Sequence, residues 1–395
     1  VRDDNNKFMK IIYIANARIP TEKAHGWQIM KMCESLGLAG VDLELVLPTR
    51  LNTEEFKKAD PFRHYQVKEN FKVKTIKTID PIFLIDRPSG IYIKLQLLFF
   101  IIGLLSYLFF KKNKADYFFY IRDEQLLPLL QFFSKKIIWE AHNLPKNKKY
   151  YLKYWKNCHK IIAITQGLKN ELVGGGLLAD QILVAPDAVD LEQFSKVKES
   201  KEELRAKLNL PADKNLIIYT GHLYKWKGVQ TLADSSKYLS DQELIVIIGG
   251  TKDDILKFKN KNQALKNILV VGHLLQHEIP AYLKAADILI LPNSAQDTIS
   301  KVYTSPLKLF EYMAAQKPII ASDLPSLREI LNGSNSVLTE PDNPEKLAEN
   351  IKRLLSNKEL ADKIARQSYT DVQRYTWEKR AESIINFVKF NLEMA

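Results

Sequence analysis

The sequence predicts an α/β protein built from two doubly wound parallel-sheet domains. Three observations carry that prediction. The chain has 395 residues, enough for two hydrophobic cores. Short β-branched or aromatic runs alternate with helical patterns from end to end, the order that builds parallel sheets covered on both faces. A charged stretch near the middle, "SKVKESKEELRAKLNLPADKN" (195–215), separates two series of such units and ends in a proline turn.

In the first series strands are expected at "KIIYIA" (10–15), "LELVL" (43–47), "DYFFYI" (116–121), "KIIWE" (136–140), "IIAI" (161–164) and "ILVA" (182–185). In the second they are expected at "LIIYT" (216–220), "LIVIIG" (244–249), "ILVVG" (268–272), "DILIL" (287–291), "PIIAS" (318–322) and "SVLT" (336–339). Helical patterns lie between them, for example at 26–39, 91–112, 228–240, 278–286 and 344–356. The reading is six strand units per half, with one domain over 1–195 and the other over 196–375. The tail, 376–395, is helical with no strand after it. Ile384, Ile385, Phe387, Val388 and Leu392 give it an apolar stripe that can dock on either domain.

Composition bounds the function classes. Hydrophobic content of 46% and charged content of 26% are ordinary for a globular protein. Cys33 and Cys158 are the only cysteines, so no disulfide framework is expected and a reducing compartment is. Met9-Lys10 reads as a native start, which sets residues 1–8 apart from the fold. The run "IIYIANA" after Met9 is too short and strand-like for a signal peptide, so export is not expected.

The net charge of +12 is uneven: residues 1–195 carry 29 Lys/Arg against 21 Asp/Glu, a net +8. Within them, 134–160 reads "SKKIIWEAHNLPKNKKYYLKYWKNCHK", with eight lysines, one acid (Glu140) and four interleaved aromatics at Tyr150, Tyr151, Tyr154 and Trp155. Such a patch suits nucleic acid, an anionic membrane or a phosphorylated substrate, and equally a solvated helix face. The segment "IYIKLQLLFFIIGLLSYLFFKKNK" (91–114) is almost wholly apolar over 97–110. A buried core helix is its leading reading. A helix in the membrane interface is next, because Lys111, Lys112 and Lys114 follow directly. A membrane span is the weakest, since the run falls short of about 20 apolar residues and a strand pattern resumes at once.

In doubly wound folds ligands sit outside the carboxyl ends of strands, so the residues after each strand matter most. The first strand is followed by "NARIPTEKAHGWQIMKMCESL", which has no G-x-G-x-x-G; it brings His25 and Gly26 to a helix start. No P-loop pattern occurs anywhere in the chain. His142 follows the strand at 136–140, beside Glu140, and is a candidate substrate contact or proton handler. After 216–220 comes "GHLYKWKGVQ", where Gly221 and Gly228 flank Lys225 and Lys227; glycine admits close backbone approach and the lysines suit a phosphate.

After 287–291 a polar loop leads to "SPLKLFEYMAAQKPIIASD" (305–323). Ser305 suits an N-cap and Pro306 the first helical position. Lys308 then lies in the first turn, where the helix dipole disfavours a cation, with Glu311 on its face. The plain reading is an exposed ion pair. The sharper one is an anion bound at this helix start. Two cationic helix starts at strand ends fit one diphosphate between them.

In their order, "GHLYKWKG", "VVGHLLQHEIPAYLKAADILILP" and "SPLKLFEYMAAQKPIIASDLPSLREIL" resemble the retaining GT-B glycosyltransferases of family 4. "ARIPTEKAHGWQIMKMCESL", "IWEAHNLP", "ITQGLKNEL" and "VAPDAVDLEQF" extend the resemblance over nearly all of 10–395. It implies two Rossmann-like domains with a nucleotide sugar in the cleft between them, and a last helix that crosses back to the first domain. It also implies roles. Lys227 looks like the family's diphosphate-binding lysine, and Glu311 like the second Glu of its E-x7-E motif, which holds the ribose. Thr304, Ser305, Pro306 and Leu307 would turn backbone N–H groups to the phosphate and sugar, with Lys308 adding charge. Gly221 and His222 would belong to the phosphate loop, and Val271 would line the base. His142 resembles the histidine near the reacting carbon, and Gly26 would lie close to the diphosphate or acceptor. His142, Lys227 and Glu311 are thus the catalytic candidates. No metal ligand and no cofactor beyond the nucleotide-sugar substrate are expected.

Three positions depart from the family pattern. Tyr303 stands where the first Glu of E-x7-E would be, with Asp297 as a substitute acid. His222 stands for an arginine, and Gln316 for a glycine before Lys317-Pro318. The expectation is a retaining hexosyltransferase of polysaccharide biosynthesis, using a UDP- or GDP-sugar and a lipid-linked or surface-glycan acceptor. It would be cytoplasmic and peripheral on the inner face of the cell membrane, held by 91–114 and 134–160, with no nucleic acid partner. The alternatives are a sugar-nucleotide epimerase on the same fold, a basic nucleic-acid-binding or DNA-glycosylating protein, and an inactive binding module.

Overall fold

A computed structural model describes residues 9–54, 56–84 and 90–390. Residues 1–8, and the end of the expected tail helix with Leu392, lie outside the described residues. The chain divides into two compact units. The first takes residues up to 164, 168–185 and those from 377 onward; the second takes 165–167 and 186–376.

The first unit holds strands β1 (Lys10–Ile14), β2 (Asp42–Pro48), β3 (Lys72–Ile76), β4 (Tyr117–Ile121), β5 (Ile137–Ala141), β6 (Lys160–Ala163) and β7 (Ile182–Val184). They form one parallel sheet in the order β3-β2-β1-β4-β5-β6-β7. The chain therefore reverses direction across the sheet between β1 and β4. Isoleucine-rich runs make the central strands because both faces are covered: Ile11, Ile12, Ile14, Ile137, Ile138, Ile161 and Ile162 are all buried. The sheet has seven strands rather than six. The seventh, "KVKTI", escapes a sequence reading because it is an edge strand: Lys72, Lys74 and Thr75 are exposed, so no apolar run marks it.

In the second unit β8 (Asn215–Thr220), β9 (Glu243–Ile248), β10 (Ile268–Gly272), β11 (Ile288–Leu291), β12 (Ile319–Ser322) and β13 (Val337–Thr339) form a parallel sheet ordered β10-β9-β8-β11-β12-β13. Its reversal falls between β8 and β11. One face is covered partly by the helix Pro344–Ser356. Asn343 caps that helix through Lys346 N–H at 3.0 Å, Pro344 opens it, and Leu347, Ala348, Ile351 and Leu354 form its buried face. The helix Lys201–Lys207 starts with a capping box of Ser200 and Glu203.

The helix Gly90–Phe110 is not the fully buried core helix that leads the sequence readings. It buries one line of side chains, Gln96, Phe100, Leu104 and Leu108, spaced four apart. Ile91, Ile93, Leu98, Ile102, Leu105 and Phe109 are exposed, Phe109 at 73% and Phe110 at 77%. By length and composition it could cross a membrane, with a mean hydropathy of 2.1 over 18 residues. The last helix, Trp377–Lys389, lies along the helix Ala24–Leu38 within the first unit.

Asp287 pins the start of the second sheet. It accepts Leu216 N–H at 2.7 Å, pairs with the buried Arg205 at 2.6 Å and meets Lys201 at 3.0 Å. Arg205 also donates to the carbonyls of Ala285 and Lys214. Burial alone would raise the Asp287 pKa, but the Leu216 N–H, Lys201 and Arg205 hold it below the ordinary value. Asp287→Ala strands the Arg205 charge, and the expected loss is roughly 3–5 kcal/mol by urea unfolding. Because the folded pKa is depressed, Asp287 contributes fully above about pH 4 and its contribution fades as pH falls through the folded value.

Candidate functional site

Both sheets reverse strand order, and each reversal collects polar side chains at the carboxyl ends of its strands. In the second unit the loops after β8 and β11 meet. Ser294 N–H donates to the Trp226 carbonyl at 3.0 Å. Gly228 has φ +71, and a Cβ there would stand 1.7 Å from the Pro292 carbonyl oxygen, so only glycine fits. The helix Leu307–Ala314 is fixed to β8 by Tyr312, whose hydroxyl accepts Thr220 N–H at 2.7 Å.

That helix starts one residue later than the sequence implies. Pro306 is at the N-cap, Leu307 is the first helical residue, and no side chain caps it. Ser305 is not the cap because its hydroxyl accepts Asp187 N–H at 2.9 Å. Thr304 precedes it, buried, and the first N–H groups of the helix have no side-chain acceptor. After the helix Gln316 takes φ +56, the left-handed region where glycine is favoured.

Lys308 and Glu311 are not the exposed ion pair of the plain reading. Both are buried, and among the described residues the Lys308 ammonium has no hydrogen-bond partner. It lies 3.8 Å from the centroid of the Tyr219 ring, with Gly221 alongside. Burial, and then the Lys227 charge, hold the Lys308 pKa well below that of an ordinary lysine, against Glu311. Lys227 lies over Trp226, its ammonium 4.4 Å from the ring centroid, and burial lowers its pKa to about 8. Glu311 accepts a hydrogen bond from Gln276; burial raises its pKa to about 7 against the pull of Gln276 and Lys308.

The structure thus brings Gly221, Lys227, Lys308, Glu311 and the uncapped helix start of 304–307 into one cluster. His222 stacks on Tyr224 with ring centroids 5.0 Å apart, and its carbonyl accepts the Tyr219 hydroxyl. Val271 in β10 packs on the hydrophobic core. Tyr303 closes a π-helical turn, Ile299–Tyr303, and is buried; Asp297 accepts Ile299 N–H at the start of that turn. Asn293 was not singled out by sequence. It is fully buried after β11, and neither its amide oxygen nor its nitrogen has a partner among the described residues. Its place just past a strand at the sheet reversal is the one signal that could have marked it.

His142 and Gly26 belong to the first unit. A pocket of about 270 Å³ opens there at the ends of β1, β4 and β5, lined by Asn16, His25, Arg122, Asp123, Glu124 and His142 among others. Gly26 lies inside the helix Ala24–Leu38, where a Cβ would meet the Tyr65 hydroxyl at 2.2 Å; its neighbour His25 forms the pocket wall. Burial, then Arg122 and Lys23, lower the His25 pKa to about 3. Burial raises the pKa values of Asp123 and Glu124.

Both ring nitrogens of His142 are engaged. Nε2 lies 2.6 Å from Glu140 Oε1, and Arg122 Nη2 is 3.2 Å from Nδ1. A guanidinium can only donate, so Nδ1 accepts and Nε2 carries the proton. Burial and the Arg122 charge lower the His142 pKa to about 4, so it is neutral at physiological pH. Glu140 also accepts from Tyr120 and pairs with Arg380 at 3.0 Å. Among the described residues no group of three or more His, Cys, Asp and Glu is placed to hold a metal ion.

Residues 200–371 match the sequence model of the family Glycosyl transferases group 1. The chain is 28% identical over 191 residues to the putative teichuronic acid biosynthesis glycosyltransferase TuaC of Bacillus subtilis, covering 48% of this chain and 46% of that protein. It is 24% identical over 210 residues to the putative colanic acid biosynthesis glycosyl transferase WcaI of Escherichia coli, covering 50% of each. The chain spans about half the length of these relatives. Among solved structures, Anabaena Alr3699/HepE in complex with UDP and glucose superposes with a TM-score of 0.74 at 15% identity, over 96% of this chain and 99% of that one. Sucrose-phosphate synthase from Thermosynechococcus elongatus gives 0.77 at 17%, over 98% and 100%. The fold is GT-B.

A buried, unpartnered ammonium costs stability, and the cost has a pH signature. With folded pKa values below the unfolded value of about 10.4, Lys227 and Lys308 disfavour the folded state while charged. The ligand-free protein is expected to gain stability as pH rises from about 8 towards 10. Lys308→Met should raise its melting temperature at pH 7 and flatten that rise, as read by differential scanning calorimetry.

Proposed function

We propose that this protein is a retaining glycosyltransferase that takes a nucleoside-diphosphate hexose on its second unit. The observation that carries the proposal is Lys308, an unpartnered buried cation at an uncapped helix start, with Lys227 beside it. A diphosphate supplies what these groups lack: acceptors for the first N–H groups of the helix and negative charge for two ammonium groups whose pKa values are depressed without it. The match of residues 200–371 to group 1 glycosyltransferases supports the same reading.

On this reading Lys227 and Lys308 offset the charge that builds on the leaving nucleoside diphosphate, with no metal ion required. Glu311, oriented by Gln276, accepts hydrogen bonds from the ribose hydroxyls. The acceptor hydroxyl attacks from the leaving-group side, and a phosphate oxygen helps to take its proton. The neutral His142 serves as a fixed wall of the first-unit pocket, not as an acid or base at neutral pH. UDP is the first nucleotide to test and GDP the second.

The acceptor is proposed to be a lipid-linked or surface glycan met at the cytoplasmic membrane face. The exposed apolar side of Gly90–Phe110, with Lys112 after it and Phe132 87% exposed, supports contact with an anionic bilayer surface. Lys111 contributes less, since it pairs with Glu44.

Lys227→Ala and Glu311→Ala are each expected to weaken UDP or GDP binding by at least about tenfold, the scale of one charge-assisted contact. Unchanged affinity for both nucleotides in both variants, by calorimetry, would sink the assignment. The intact protein is also expected to sediment with vesicles containing phosphatidylserine and to be released by salt. Equal low-salt binding to neutral vesicles would refute the electrostatic part.

A further inference from the structure

The histidine in the wall of the first-unit pocket is reached from behind by the last helix of the chain. Trp377–Lys389 turns Trp377, Arg380, Ala381, Ile384, Ile385 and Val388 to the interior, and Arg380 is the one charge on that face. A guanidinium in such a setting needs partners on every side. It has them: Glu140 at 3.0 Å, the Ala185 carbonyl at 3.2 Å and the Met32 sulfur at 3.0 Å. Arg380 and Glu140 are both almost completely buried, so their charges act on neighbours with little screening.

From Glu140 the contacts run outward in single file, to His142 at 2.6 Å and from His142 to Arg122 at 3.2 Å. Arg122 lines the pocket, and its Nη1 is buried without a partner among the described residues. The bond between Arg122 and Nδ1 exists only while His142 is neutral, because a protonated Nδ1 would itself be a donor facing a donor.

We propose that Arg380 is a positioning residue for the first-unit pocket, acting through Glu140 and His142 to fix the Arg122 guanidinium in the pocket lining. Arg380 neutralises the Glu140 carboxylate, so His142 need not take a proton to balance it. Without Arg380 the carboxylate loses its strongest counter-charge while it lies 2.6 Å from Nε2, the imidazole protonates, and the cation so formed breaks with Arg122. The other titratable groups facing Glu140 are Tyr120 from β4, Tyr13 from β1 and Cys33 from Ala24–Leu38; burial holds all three neutral. Arg122 itself opposes protonation of His142. The role does not depend on which ligand the pocket takes, nor on the proposed transferase activity.

The test is a titration of His142 by nitrogen-15 NMR in the full chain, with its signals assigned by their loss in His142→Asn. In the wild type His142 should be the neutral Nε2–H tautomer and stay neutral down to about pH 4. In Arg380→Met its pKa should rise by roughly one to three units, with Nδ1 becoming protonated. Arg380→Lys keeps the charge and should titrate like the wild type, which a merely structural role for the guanidinium does not require. A folded Arg380→Met that titrates like the wild type overturns the proposal, as does an Arg380→Lys that titrates like the methionine variant. If the methionine variant does not fold, Arg380→Gln removes the charge while keeping hydrogen-bonding groups and gives the same comparison. If neither neutral variant folds, the lysine variant decides, since a raised His142 pKa there is fatal to the idea.

Discussion

A parallel sheet buried on both faces has no free surface on which to place chemistry. Its backbone groups are paired strand to strand, its side chains face apolar layers, and polar groups can gather only where strands end. Each unit of this protein obeys that constraint, and each adds a reversal of strand order that parts two neighbouring connections. The first-unit pocket and the second-unit lysine cluster both lie at these reversals. The side chains that line the two sites come chiefly from the segments after β1, β4, β5, β8 and β11, with Gln276 and Arg380 reaching in from elsewhere.

The two sites treat buried charge in opposite ways, although the second unit also closes a charge network at Asp287, away from its site. In the first, charges are closed into a chain of partners: Arg380 to Glu140, Glu140 to His142 and Tyr120, His142 to Arg122. Such a network is rigid, and it holds an imidazole neutral in a place where a nearby carboxylate would ordinarily charge it. In the second, charge is left open. Lys308 has an aromatic face beneath it and no acceptor, Glu311 has an amide where a cation would suit it better, and the helix start has no cap. A folded chain carries such a deficit at a cost in stability, which is the usual mark of a site completed by something it binds.

Exposed apolar surface is concentrated on one element. Gly90–Phe110 anchors itself by a single stripe and by Gln96, whose amide exchanges hydrogen bonds with Asn16 at the edge of the pocket. The rest of its side chains are half-buried or exposed, with Ile91, Ile93, Leu98, Ile102, Leu105, Phe109 and Phe110 facing solvent. Hydropathy alone cannot separate a helix of this kind from a core helix, since both are apolar all round; only the number of sides that are covered tells them apart.

Much of the architecture was legible in the residues. Isoleucine-rich runs marked the central strands because full burial demands apolar side chains at every position, and the edge strand β10, none of whose residues is fully buried, was visible because its run is apolar all the same. β3 was not, because an edge strand with lysines on its open side carries no such run. Lys308 in a helix first turn was legible as an anomaly, since local dipole physics disfavours it there. Its burial, its lack of a partner and its place over Tyr219 were not, because they depend on segments 80 residues or more away in the chain. Ser305 looked like a cap by local rules, and Asp187 claimed its hydroxyl. Arg380 sat unremarked in an amphipathic tail until packing against Ala24–Leu38 set it beside Glu140, 240 positions earlier. Sequence by itself determined what repeats locally: strand and helix periods, turn glycines and the order of the motifs. Only the tertiary structure decided which charges are partnered, because pairing and desolvation are set by distances between residues that the chain brings together last.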